Sequence, residues 1–261
     1  MYALKFVTRN ALRHRIRTGL TVFGLMVAVL AFGLLQTVVD AWYAGAAASS
    51  STRLITRSAI SLAFTLPIGY EQRIRAVEGV SMVGRSTWFG GIYKEPKNFF
   101  PQFAVSGNYF DLYPEFVMGN EQRQAWMRDR RGVMVGRQLA DQFGFKVGDA
   151  ITLRGTIYQG DWPFVVRGIF EGSDDTKITR HMVFHWDYLN EWLQKRLTRR
   201  ANQTGVFLVG INDATRAAEI SRAVDEQFSN SIAETLTETE QSFQLSFVAM
   251  SKSEEHTSEL Q

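Results

Sequence analysis

The 261-residue sequence contains no cysteine. Disulfides and thiolate metal sites are therefore excluded. This absence fits a domain outside the cytoplasm but does not require one. No G-x-x-x-x-G-K-[ST] run and no G-x-G-x-x-G occurs, so nucleotide binding by this chain has no support. There is no G-x-S-x-G elbow and no H-E-x-x-H. The first 17 residues hold no acid, and Thr18 to Val39 holds no charge of either sign.

What is present is ordinary for a folded chain. Hydrophobic residues make up 45% and charged residues 21%, which argues against disorder over most of the length. The length suits one large domain or two small ones. The formal net charge is +3. Ser253 to Gln261, SEEHTSELQ, reads as the translation of a sequencing adapter and is set aside. Without Glu254, Glu255 and Glu259, 29 basic residues face 23 acidic ones. Five of the basic residues, Lys5, Arg9, Arg13, Arg15 and Arg17, precede the apolar run. The remainder is nearly neutral, so the basic pI does not point to nucleic acid.

The uncharged run TGLTVFGLMVAVLAFGLLQTVV is 22 residues long. As a helix it would span roughly 33 Å, enough for a ~30 Å hydrocarbon core. Trp42 and Tyr43 follow it, where aromatic residues favour the interface. A transmembrane helix is expected over 18–43, with the basic lead-in 1–17 in the cytoplasm. A cleaved signal peptide is the rival, with Ala44-Gly45-Ala46 as a mimic of its cleavage site. Its apolar core would usually be only about 7–15 residues. A buried core helix is the other rival, and the flanking basic cluster argues against it. Leu4, Val7 and Ala11 suggest a weakly amphipathic lead-in helix on the inner membrane surface; a solvated basic segment that only sets orientation is the plain alternative.

Beyond the small, polar AGAAASSS stretch, strands and helices alternate. Tyr70 to Glu78 suits a short helix with Ile74 and Val77 inward and Gly79 as its cap. Val80–Val83 and Phe99–Val105 read as extended. Val133–Val135 is a short strand, and Arg137–Phe143 a helix ended by Gly144. Val147-Gly148-Asp149 is a turn, and Ala150–Leu153 a strand. Phe164–Phe170 and Gly205–Ile211 are further strands. Asn212 or Asp213 then caps a helix that places Ala217, Ile220, Val224 and Phe228 on one face. From Ser231 the acidic SIAETLTETEQ reads as helical, and the apolar residues after it as the approach to a second membrane helix. The expected class is an α+β domain.

Candidate chemistry is sparse. His181 and His185 are four apart with Asp187 nearby, but Met182-Val183-Phe184 between them reads as a strand. Structural or surface histidines explain them better than a zinc site. Asp174 and Asp175 suit a solvated turn better than an acid–base pair. Trp88, Trp126, Trp162, Trp186 and Trp192 could line a groove, but core packing is their commoner use. No catalytic, cofactor-binding or metal-binding residue is assigned.

The segment RNALRHRIRTGLTVFGLMVAVLAFGLL resembles the start of ABC-transporter permeases of the MacB/FtsX-like superfamily. In order and spacing, YEQRIRAVEGV, FAVSGNYFDLYPEF, GVMVGRQLADQFGFKVGDAITL, FVVRGIF and FLVGINDATRAAEISRAVDEQF resemble the MacB-like periplasmic core domain. TETEQSFQLSFVAM resembles the return to the membrane. The resemblance implies a two-lobed periplasmic α+β domain over 44–240 on one N-terminal transmembrane helix. Residues 52–106 with 203–240 would form the lobe nearer the membrane, and 107–202 an inserted outer lobe. Residues 241–252 would approach a second, missing membrane helix, with two more to follow, and 253–261 would be artefact. It also implies a non-enzymatic permease subunit in the bacterial inner membrane. Such a subunit pairs with a cytoplasmic ABC ATPase on another polypeptide and with a second permease, as homodimer or heterodimer. A periplasmic adaptor is a further implied partner; nucleic acid and cofactors are not. The expected function is ATP-driven movement of a periplasmic domain for export or lipoprotein release. The alternatives are a membrane-anchored binding or adaptor module that transports nothing, and an anchored hydrolase resting only on His181, His185 and Asp187.

Overall fold

A computed structural model describes residues 15–47, 50–174 and 178–246. The chain divides into two units, Met1–Ala44 and Gly45–Gln261. The expected lead-in as far as His14, and the expected membrane approach and artefact after Ser246, lie outside the described residues.

Helix α1 (Arg15–Ala47), most of which belongs to the first unit, continues for 33 residues, past both ends of the expected span. Its apolar part, Ile16–Thr37, is long and apolar enough to cross a membrane, and none of it is buried by protein. Leu20, Phe23, Leu30, Phe32 and Leu34 are all largely exposed. A helix that is apolar all round and uncovered is suited to lipid, not water. Two threonines near the ends of the span are satisfied internally. Thr21 Oγ1 donates to the Arg17 carbonyl at 2.9 Å, and Thr37 Oγ1 to that of Gly33 at 2.8 Å. That removes most of the cost of placing a hydroxyl in hydrocarbon.

The second unit is built on strands β1 (Arg53–Ser58), β2 (Leu66–Pro67), β3 (Val80–Trp88), β4 (Gly91–Tyr93), β5 (Gln102–Val105), β6 (Phe116–Val117), β7 (Gly132–Gly136), β8 (Ala150–Gly155), β9 (Gly160–Gly172), β10 (Met182–His185), β11 (Gln203–Thr204), β12 (Val206–Ile211) and β13 (Thr235–Thr239). Its helices are α2 (Tyr70–Arg75), α3 (Tyr109–Leu112), α4 (Asn120–Arg128), α5 (Arg137–Phe143), α6 (Trp186–Arg196) and α7 (Ala217–Glu226). One sheet runs β13-β1-β12-β3-β5-β10-β7-β9-β8-β4, with β6 beside β9; β11 and β2 pair separately. Pairing is antiparallel except β5 with β10 and β7 with β9. The class is the expected mixed α and β domain.

Both faces of the sheet are covered. On one, Leu54, Phe207, Val209 and Ile211 pack with Ile74 of α2 and Ile220, Val224 and Phe228 of the α7 segment. On the other, Ile55, Leu208 and Val105 meet Phe110, Leu112, Trp126 and Phe170. The alternation Leu54/Ile55 and Phe207/Leu208 is the two-residue period of strands apolar on both sides. A third core gathers Phe89, Phe100, Val133, Val135, Leu139, Phe164, Phe184 and Leu193. Phe89, Phe100 and Ala104 therefore pack with the segment 107–202 that was expected as an inserted lobe.

Several elements match the sequence closely. Helix α5 ends at Gly144, which is left-handed at φ +71°, with its N–H on the Ala140 carbonyl. Asp213 accepts from the Thr215 N–H and opens the turn before α7. Strand β8 alternates exposed and buried as expected. Two expectations need correction. Helix α2 stops at Arg75 with Ala76 as its cap, so Gly79 does not cap it. Gly79 instead precedes β3 at φ +89°, where a Cβ would overlap Ile220 Cδ1.

The larger correction is the acidic stretch after Ser231, which holds strand β13 where a helix was expected. Its threonines alternate, and β-branched residues suit a pleated strand. Thr235 and Thr237 face inward beside Ser58 and Thr56 of β1. Asp225 of α7 fixes them: its carboxylate accepts from Thr235 Oγ1 at 2.8 Å, Thr237 Oγ1 at 2.7 Å and the Thr237 N–H at 2.9 Å. Hydrogen bonds to a charged acceptor contribute about 1.5–3 kcal/mol each. Asp225→Ala should speed amide hydrogen exchange across 235–239 while leaving β9 protected; unchanged protection in 235–239 would contradict this role for Asp225.

Candidate functional site

Arg53 opens β1, six residues after the end of α1. Glu240 follows directly on β13 and begins a helical stretch that is described as far as Ser246. The side chains of these two residues meet in the interior. Arg53 is 3% exposed and Glu240 6%. Arg53 Nε donates to Glu240 Oε2 at 2.9 Å, and Nη2 lies 2.7 Å from the same oxygen. Nη2 also donates to Glu115 Oε1, and Nη1 to the carbonyl of Leu112, both at 2.6 Å. Tyr113 lies beneath, its ring centroid 3.7 Å from the guanidinium carbon, and its hydroxyl donates to Glu240 Oε1 at 2.8 Å.

Arginine suits this position because its planar fork presents several donors at fixed angles. Burial alone lowers its pKa. The neighbouring Tyr113, the charge on Glu240, and the hydrogen bonds to Glu115 and Glu240 more than reverse that, and hold Arg53 above its ordinary range. Burial and the Glu240 carboxylate push the Tyr113 and Tyr109 hydroxyls upward, so both stay neutral donors. The cluster ties three segments together: the start of the first strand, the 112–115 corner, and the exit from the last strand. The clasp joins these backbone segments through charge-assisted hydrogen bonds.

Residues 18–227 match the family model of the MacB-like periplasmic core domain. The chain belongs to that family. The MacB-like domain here is similar in fold to the extracellular domain of the noncanonic ABC-type transporter YknZ from Gram-positive bacteria. That likeness has TM-score 0.50 at 12% identity and covers 72% of this chain and 100% of that one. The periplasmic region of MacB from Actinobacillus actinomycetemcomitans aligns over 75% of this chain and 92% of its own, at 10% identity and TM-score 0.49. A domain of a putative permease protein from Porphyromonas gingivalis aligns over 72% and 88%, at 16% and 0.47. No curated protein matches.

Within this MacB-like domain the two histidines occupy separate apolar pockets. His181 is ringed by Phe103, Phe116 and Phe170, with Nε2 3.5 Å from the Tyr109 hydroxyl. His185 ends β10, stacks on Trp126 at 4.2 Å, and its Nε2–H donates to the Trp126 carbonyl at 2.8 Å. Among the described residues no group of three His, Asp or Glu side chains could hold a metal. Trp126, Trp162 and Trp186 are core residues, Trp192 packs against the core, and Trp88 is at the surface. Asp174 lies in the bend after β9, and Asp175 is outside the described residues.

Sequence reasoning missed Arg53, Tyr113, Glu115 and Glu240. One signal was available: Arg53 is two residues from Ile55, so a strand reading puts its side chain on the face that Ile55 buries.

Burial lowers the His181 pKa from 6.5 to about 4. The unfolded chain therefore takes up a proton near pH 6.5 that the folded chain refuses until about pH 4. Stability from this group is fully present above 6.5 and is lost as pH falls towards 4. Urea unfolding at pH 7, 5.5 and 4 should show that loss, and His181→Gln should make the slope shallower over this interval. An identical slope in the variant would contradict the burial account.

Proposed function

We propose that this chain is the membrane-spanning permease subunit of an ABC transporter. The observation that carries the reading is the Arg53–Glu115–Glu240–Tyr113 clasp in a domain of the MacB-like family. The residues gripped by the clasp follow the apolar helix on one side and open the exit helix on the other. Displacement of either segment would be passed to the sheet through short charge-assisted hydrogen bonds, which are stiff and directional.

In this reading the basic lead-in lies in the cytoplasm and the folded domain in the periplasm, as the positive-inside rule favours. A separate cytoplasmic ATPase hydrolyses ATP, and further membrane helices complete the permease. Two permease subunits work as a homodimer or heterodimer, and a periplasmic adaptor is the partner outside the membrane. The role of this chain is mechanical and not enzymatic. Export or lipoprotein release is the class of work.

The test is co-expression of the complete gene product with the ABC ATPase encoded beside it, followed by purification from membranes. The two should co-purify, and ATPase activity should change when the permease is present. A permease recovered alone, with the ATPase unaffected, would contradict the reading and favour a transport-free anchored module.

A further inference from the structure

The corner that ends α6 concentrates positive charge. Lys195, Arg196, Arg199 and Arg200 lie within six residues, and the sequence holds no acid between Glu191 and Asp213. All four side chains are exposed. Arg57, Arg123 and Arg137 elsewhere on the domain each hold a carboxylate. None of these four does so among the described residues. Basic residues in a last helical turn complement the helix dipole; Lys195 and Arg196 do so for α6, while Arg199 and Arg200 end the single 3-10 turn Thr198–Arg200, which is too short to carry much of a dipole.

Two of the cations, Arg196 and Arg200, lie near the β8–β9 hairpin. Arg196 lies over the Trp192 ring at 5.2 Å, and its Nη1 reaches within 3.9 Å of where a Cβ of Gly160 would stand. Arg200 lies within electrostatic reach of Tyr158 in the same β8–β9 hairpin. Leu197, 41% exposed, sits among them. Arginine and tryptophan side by side are enriched at protein interfaces.

The position in the sheet also matters. Strand β12 ends beside the chain's entry, where the Ile211 N–H bonds the Thr52 carbonyl. Arg53 pairs across to Gly210 and Arg57 to Val206. Gln203 and Thr204 just precede β12 and so lie towards its opposite end, away from the clasp. From this we infer that the corner Lys195–Arg200, with Trp192 and Leu197, is a docking surface for an acidic segment of a partner protein.

The test uses the full chain in discs of neutral phosphatidylcholine, with fluorescein-labelled poly-L-glutamate as the probe. Binding should be salt-sensitive and should weaken at least about tenfold in Arg199→Glu/Arg200→Glu. Arg128→Glu/Arg222→Glu makes the same charge change at two other exposed sites and should weaken binding far less. Arg199→Gln/Arg200→Gln should show the same ranking should the glutamate pair fail to fold. Equal weakening in both pairs would reduce the effect to net charge and overturn the inference. Binding unaltered by the 199/200 variants would overturn it too. So would displacement of the probe by soluble dihexanoyl-phosphatidylglycerol at lower charge-equivalent concentrations than by unlabelled poly-L-glutamate, which would assign the corner to lipid headgroups.

Discussion

A buried guanidinium is the constraint on which the domain depends. Moving Arg53 out of water costs several kcal/mol, and the cost is recovered only where the geometry is good and the donors are used. Here the carboxylates of Glu115 and Glu240 and the carbonyl of Leu112 take its N–H groups, and Tyr113 covers it. Glu240 is in turn shared with the Tyr113 hydroxyl. Removal of Arg53 would leave the buried Glu240 carboxylate with only the Tyr113 hydroxyl among the described residues. The members of such a network contribute non-additively.

The surrounding fold gives that network something to act on. Strand β1 lies between β13 and β12, so Arg53 sits at the end of a paired strand. The sheet beyond it runs without a break to β4 and carries apolar cores on both faces. Close-packed interiors transmit displacement instead of absorbing it.

The elements with strong local signals were legible in the sequence. The apolar helix, Gly144 as the cap of α5, the alternation in β8 and the amphipathic α7 each follow from spacing or from one residue's conformational freedom. β13 was misread because its charges suggest a helix; its alternating threonines were a strand signal in the sequence, while their bonds to Asp225 are a tertiary contact. The clasp was hidden for a similar reason. Arg53, Glu115 and Glu240 are far apart in sequence, and only the register of β1 with β13 brings the first and last together. His181 and His185 read from the sequence as structural or surface residues; in the fold both pack against aromatic rings.

The central claim is that Arg53 and Glu240 act as one unit joining the chain's entry to its exit. A double-mutant cycle with Arg53→Met and Glu240→Gln, read by urea unfolding of the full chain in detergent, measures this directly. Arg53→Met should cost about 3–5 kcal/mol, since it strands the buried Glu240 carboxylate and the half-buried one of Glu115. The double variant should cost less than the two single costs together by at least about 1 kcal/mol. Costs that simply add would contradict the claim.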